Sequence, residues 1–201
     1  MAALRAIALA VALIAAPPAH AESVADWRPY VVEASARFGV PVAWIERVMQ
    51  AESAGRTTLD GRPITSRAGA MGLMQLMPAT WAQLRAVCAL GSNPYDPHDN
   101  IIAGTAYLRA MYDRFGYPGM FAAYNAGPGR YADYLAGKAT LPGETRAYLA
   151  ATGGMATAPP LATPVLPAAT MFVPLRGAGS AGNSAPPRAY GAGIFVIVAS
   201  P

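Results

Sequence analysis

The chain reads as a mainly α protein, and three observations predict this. Apolar residues recur at helical spacing, Gly and Pro stand where those stretches should stop and start, and repeated strand–turn–strand alternation is missing until the last residues. With 201 residues, 54% hydrophobic composition and 13% charge, the chain has material for one folded domain with appendages.

Residues 1–21 form the first appendage. Arg5 is the sole charge before Glu22, residues 7–16 are an unbroken apolar run, and Pro17, Pro18 and Ala19-His20-Ala21 supply a break and a small-x-small site. That is the pattern of an export signal cleaved near Ala21, so the mature protein is expected in the periplasm. The run is too short to span a bilayer as a mature helix, although an uncleaved anchor is the alternative. Residues 22–154 form the expected catalytic domain. The helices predicted within it cover 29–38, closed by Gly39; a stretch opened by Pro41 and leading to Glu52; 78–90, ended by Gly91; and 101–115, capped by Asp99 or Asn100. A further helix starts near Pro118, breaks at Gly127-Pro128-Gly129 and resumes to Leu135, and 144–152 closes the domain. Residues 53–69, with Gly55, Gly61 and Pro63, read as a loop. Residues 155–201 are a Pro/Ala/Gly-rich, low-complexity tail, expected to be disordered apart from a short β-prone end at 194–198.

Charge and side-chain inventory exclude several functions. Removing residues 1–21 lowers the formal net charge of +4 by one, and no Lys/Arg block of the kind that engages nucleic acid is present. Cys88 is the single cysteine, so an internal disulfide and a cysteine-based metal site are both excluded; it reads as a buried small hydrophobe. His98 is the one histidine after residue 21 and lies in a turn-like stretch, which argues against a Cys–His nucleophile and against a histidine-rich metal centre.

The chain is organised around residues 40–78. Trp44, Ile45, Val48 and Met49 make one helix face, and Glu52 follows Met49 by three and Val48 by four, on that same apolar face. A carboxyl group there is poorly solvated, its pKa rises, and near neutral pH it can hold and donate a proton. Two further stretches carry chemistry. Gly69-Ala70-Met71-Gly72-Leu73-Met74-Gln75-Leu76-Met77-Pro78 combines glycines that admit close backbone approach, adaptable methionines, and Gln75 as a neutral donor and acceptor. Taken alone it reads rather as a Met-rich core turn with Gln75 satisfied by backbone. Ala123-Tyr124-Asn125-Ala126-Gly127-Pro128-Gly129 offers an aromatic hydroxyl and a turn, or simply a helix C-terminus with a structural tyrosine.

Glu52-Ser53, Gly72-Leu73-Met74-Gln75-Leu76-Met77-Pro78 and Ala123-Tyr124-Asn125-Ala126-Gly127, in that order, together with Pro142-Gly143-Glu144-Thr145-Arg146-Ala147-Tyr148, resemble the motifs of the soluble lytic transglycosylase catalytic domain. This is the goose-type-lysozyme-like branch of the lysozyme superfamily, and the likeness covers roughly residues 28–153. It implies a lysozyme-like single catalytic domain that cleaves the β-1,4 bond between N-acetylmuramic acid and N-acetylglucosamine in peptidoglycan. By that resemblance Glu52 is the catalytic acid and base. Ser66, Gln75, Met77, Tyr124, Asn125 and Glu144 are then substrate-binding, with Tyr124 beside the acid and able to hydrogen-bond it. Residues 57–65 look inserted relative to the family, which bears on the Ser66 assignment. The mechanism implied uses a single glutamate and yields 1,6-anhydromuramoyl ends, with no cofactor and no metal. The partners expected are peptidoglycan glycan strands, met by a monomer, with either general wall turnover or a secretion or conjugation apparatus as the setting. A hydrolytic lysozyme of the same fold and a non-catalytic glycan-binding module are the rival readings, and a carboxyl group on the apolar face has no use in the second.

Overall fold

The structure, a computed structural model, describes residues 21–153. The expected leader, the tail from 155 and its β-prone end fall outside these residues. After a 3₁₀ turn at Val24–Trp27 come α1 (Arg28–Phe38), α2 (Val42–Glu52), a hairpin of β1 (Thr58–Leu59) and β2 (Arg62–Pro63), and α3 (Pro78–Val87). The chain continues through α4 (Pro97–Phe115), α5 (Gly119–Ala126), α6 (Pro128–Leu135) and α7 (Gly143–Thr152). Among the described residues no helix is long and apolar enough to cross a membrane.

α4 is the centre. Every residue from Asn100 to Leu108 is buried, so the helix is surrounded rather than laid on a surface, and it packs against α1, α3 and α5. α5 in turn carries α6 and α7, and α7 returns to α2. The apolar face of α2 behaves as its spacing requires: Trp44, Ile45, Val48 and Met49 are wholly buried, each contributing about 1.5–3 kcal/mol of burial. Trp44 sits in an aromatic cluster, 5.4 Å from the Tyr117 ring and 5.5 Å from that of Tyr112. This fixes the far end of the helix that ends in Glu52.

Helix boundaries follow local chemistry, with three corrections. α4 begins at Pro97 and its cap is Asp96, whose side chain accepts the Asp99 N–H at 2.9 Å; neither Asp99 nor Asn100 caps it. Pro97 suits the first helical position, where no N–H is needed, and Asn100 is freed for a different task. α3 stops at Val87 rather than Leu90, because Ala89 turns left-handed (φ 56°) two residues before Gly91. The stretch read as loop holds the two-residue strands β1 and β2, joined by Asp60-Gly61 with φ of 52° and 72°. That is the hairpin turn Asp-Gly favours, and strands of two residues carry no readable alternation. Cys88 is buried, as expected, and burial pushes its thiol pKa up. His98 spends its ring nitrogens on Glu33 (3.1 Å) and Asp99 (3.0 Å).

Candidate active site

Glu52 is the last residue of α2, where the buried face runs out at a cleft of about 320 Å³. Ser66, Gln75, Met77, Tyr124, Asn125 and Glu144 line the same cleft, so all seven residues singled out from the sequence converge on one concavity. Ala68, Ala70, Thr80, Tyr107 and Gly127 complete much of its lining.

The walls follow from the glycine-rich stretch. Met71 and Leu76 exchange backbone hydrogen bonds at 2.9 and 3.1 Å, closing a tight turn in which Gly72 (φ 74°) and Gln75 (φ 48°) are left-handed. Asn100, with no exposed surface, holds this turn to α4. Its carbonyl oxygen accepts the Met74 N–H at 2.7 Å, and its amide donates to the Met71 and Pro94 carbonyls at 3.1 and 2.8 Å. A side chain on Gly72 would begin 2.5 Å from the Asn100 amide nitrogen, which is why glycine stands there. Gln75 donates to the Gly72 carbonyl at 2.9 Å, so its amide oxygen is the group left to face the cleft. Met77 is 44% exposed, an apolar platform at the rim. Ser66 reaches the cleft just after the hairpin: its hydroxyl oxygen accepts the Ala70 N–H at 3.0 Å, and the hydroxyl proton can still donate.

The acid itself is held by aromatics. Burial raises the Glu52 pKa from 4.5 to about 7; the Tyr148 hydroxyl beside it pulls the other way, and the Glu144 carboxylate adds to the rise. Part of Glu52 still meets the cleft, so it is accessible and poorly solvated at once. Tyr124 does not orient it as expected. The Tyr124 hydroxyl donates instead to the buried Met74 carbonyl at 2.8 Å, tying α5 to the glycine turn, and its ring lies 5.0 Å from that of Tyr107. Tyr148 is the tyrosine that acts on Glu52. Its hydroxyl is buried beside the Glu52 carboxyl and has no hydrogen-bond partner of ordinary geometry among the described residues, so it acts on the acid by its closeness rather than through a formed bond. Burial pushes the Tyr124 and Tyr148 pKa values well above 10, and that of Tyr107 to about 12, so all three remain neutral. Asn125 accepts the Thr145 hydroxyl at 2.8 Å, joining α5 to α7. Glu144, exposed in the first turn of α7, holds its negative charge where a helix N-terminus favours it.

Sequence reasoning gave no role to Tyr107 or Thr80, took Asn100 only as a candidate cap, and quoted Tyr148 in the last motif without assigning it a role at the site. Tyr148 falls four residues after Glu144, on the same helical side, and that spacing together with its place in the last motif is the signal that could have found it. Away from the cleft, Asp96, His98 and Asp99 bring ligand atoms within 4.8 Å of one another. Those atoms are already used: Asp96 caps α4, Asp99 accepts the Gly91 N–H at 2.8 Å, and His98 bonds Glu33.

Comparison with known proteins identifies the family and the fold. The family described as Transglycosylase SLT domain matches residues 29–146. The chain is 41% identical over 91 residues to the transglycosylase of Enterobacteria phage PRD1, covering 45% of this chain and 31% of that protein. It is 42% identical over 83 residues to the soluble lytic murein transglycosylase of Escherichia coli K12, covering 38% of this chain and 13% of the other. The crystal structure of the 70 kDa soluble lytic transglycosylase SLT70 from Escherichia coli superposes with a TM-score of 0.54 at 30% identity, over 62% of this chain and 22% of that one. The chain thus spans less than a third of the length of each of these proteins. Its fold is the mainly helical, lysozyme-like one, and the chain belongs to the transglycosylase SLT domain family.

Proposed function

We propose that this protein is a peptidoglycan lytic transglycosylase that cleaves the MurNAc-β-1,4-GlcNAc bond with Glu52 as its single acid and base. The observation that carries the reading is the state of Glu52: one accessible carboxyl, packed by tyrosines, with a pKa of about 7 at the floor of a cleft with polar groups on its walls. Near neutral pH such a group is divided between acid and base, which is what a two-step proton transfer through one residue needs.

In the first step Glu52 gives its proton to the glycosidic oxygen as the bond from C1 of the muramoyl sugar to that oxygen breaks. The neighbouring N-acetyl carbonyl stabilises the positive charge at C1. In the second, the 6-hydroxyl of the same sugar attacks C1 and its proton passes to Glu52, restoring the acid. The product is a 1,6-anhydromuramoyl end, and water is not consumed. Because the nucleophile is built into the substrate, its proximity replaces a second carboxylate. The neutral Tyr148 hydroxyl lies beside the acid and moderates its proton affinity, Gln75 and Ser66 offer polar contacts to sugar hydroxyls and amides, and Met77 offers an apolar surface to a pyranose face.

The leader and the mild positive charge support action on the wall polymer from the periplasm, in general turnover or in local opening for an envelope-spanning apparatus. A hydrolytic lysozyme is the competing chemistry, since Glu144 is a second acid on the cleft. Mass spectrometry of sacculus digestion products separates the two: anhydro ends are expected, and reducing ends overturn the transglycosylase. Glu52→Gln should release no muropeptides while still binding glycan strands; appreciable residual turnover counts against Glu52.

A further inference from the structure

Residues 22–27, just ahead of α1, are pressed against the chain that follows Glu52. The Glu22 carboxylate accepts the Thr57 N–H at 2.7 Å, and the Thr57 hydroxyl lies 2.8 and 2.7 Å from its two oxygens. The Trp27 indole N–H donates to the Gly55 carbonyl at 2.7 Å. Gly55 is left-handed (φ 76°), and a side chain on it would start 2.3 Å from the backbone of Ser23 and Val24. The segment is braced within itself, because Asp26 accepts both the backbone N–H and the hydroxyl of Ser23 at 2.8 Å. Bonds to a carboxylate are the stronger kind, so Thr57 is held from two donors by one charged group.

From Thr57 the backbone bonds run in one line toward the cleft. The Thr57 carbonyl accepts the Ile64 N–H at 2.9 Å, and the Ile64 carbonyl accepts the Gly72 N–H at 3.1 Å. The Gly72 carbonyl then accepts the Gln75 backbone N–H at 3.2 Å and its side-chain amide at 2.9 Å. Between Ile64 and Gly72 lies the turn that carries Ser66, Ala68 and Ala70, three residues of the cleft lining. The hairpin lies within this line between Thr57 and Ile64, so the wall meets Thr57 at one end while Asn100 holds its other end to α4.

We propose that Glu22 is a positioning residue: by clamping Thr57 it sets the wall at residues 64–72 and the Gln75 side chain for glycan binding. The proposal rests on the cleft being the glycan groove. Glu52 ends α2 and its carboxyl lies beside Tyr148 of α7, so the clamp is assigned to binding and not to the chemical step. Processing after Ala21, as the leader predicts, leaves the clamp whole.

The test uses the Glu52→Gln protein, which holds substrate without consuming it, and measures the Kd for glycan strands freed of stem peptides. Adding Glu22→Ala should raise Kd about tenfold, the size of one charge-assisted hydrogen bond. It should also speed hydrogen exchange at the Ile64 and Gly72 amides while lowering the melting temperature by only a few degrees, so that the protein remains folded in the binding assay. Glu22→Gln, which keeps an oxygen for the Thr57 N–H, should recover most of the affinity, and Thr57→Val should fall between. An unchanged Kd in Glu22→Ala, or unchanged exchange at Ile64 and Gly72, overturns the proposal, as does a loss of affinity that tracks general unfolding and is not rescued by Glu22→Gln. If the native protein forms no anhydro ends while Glu22→Ala still weakens binding, the lytic reading fails and the clamp stands. If the parent binds no glycan, both fail.

Discussion

Replacing Glu52 by Gln should make the protein more stable, and by an amount that depends on pH. The free carboxyl ionises near 4.5 and the folded one near 7. Between those values the unfolded chain has released its proton and the folded chain has not, so stability falls as pH rises. Below pH 4.5 both forms are protonated and the cost is absent; above 7 both are ionised and it is complete. Each tenfold change in proton affinity is worth about 1.4 kcal/mol, so the full cost is about 3 kcal/mol. Glutamine has the same shape and no charge, so it escapes the cost. Urea unfolding of the two proteins from pH 4 to 9 should give stability curves that diverge by about 3 kcal/mol through pH 4.5–7 and run parallel beyond. In melting temperature this is about 10 °C for a domain of this size. Every other titrating group is common to both proteins and cancels in the difference. Curves that stay parallel throughout would mean that Glu52 is solvated in the folded state, and its acid–base role, which depends on burial, would fall with them.

Two further outcomes follow from the same contacts. Tyr148→Phe removes the one influence that pulls the Glu52 pKa down, so the alkaline limb of the activity profile should move to higher pH; a limb that stays put or moves down would show that the hydroxyl does not touch the acid. Asn100→Ala strips three hydrogen bonds from the buried base of the glycine turn, leaving the Met74 N–H and the Met71 and Pro94 carbonyls short of partners. It should cost about 3 kcal/mol or more in urea unfolding and weaken glycan binding, whereas a loss under about 1 kcal/mol would deny Asn100 its role.

What could be read before the fold was known was whatever one helix or one turn decides by itself. The position of Glu52 on the buried side of α2 is set by three- and four-residue spacing, and Gly39 and Pro78 act within one turn of where they stand. The convergence of Ser66, Gln75, Met77, Tyr124, Asn125 and Glu144 came from the order of motifs, which carries information that no single stretch holds. Contacts between distant elements were not legible. Tyr124 was read toward Glu52, its nearest chemical attraction, yet the buried Met74 carbonyl needs a donor and has the stronger claim on its proton. Asn100 looked like a cap because asparagine caps helices, but Asp96 precedes Pro97 and takes the position, leaving Asn100 to reach a turn 26 residues away. The grip of Glu22 on Thr57 spans 35 residues between two ordinary polar side chains, and nothing in either neighbourhood announces it.

The second acid on the cleft tests the single-glutamate mechanism most directly, because a hydrolase of the ordinary kind divides its work between two carboxyl groups. Glu144 has the location but not the environment of such a partner. It is exposed, whereas Glu52 is packed by tyrosines, and the negative charge of Glu144 helps keep the proton on Glu52. Glu144 can therefore serve the reaction without meeting the sugar's C1, by holding charge at the helix end while Glu52 holds the proton. In the proposed mechanism the proton leaves Glu52 and returns to it from the substrate's own hydroxyl, and the charge of Glu144, which raises the Glu52 pKa, is consistent with that return. A water-activating base would need the opposite, a carboxylate stabilised in its ionised form and facing the bond. Glu144 stands exposed at the edge of the cleft and Glu52 largely buried at its floor, a division that suits the internal transfer proposed above.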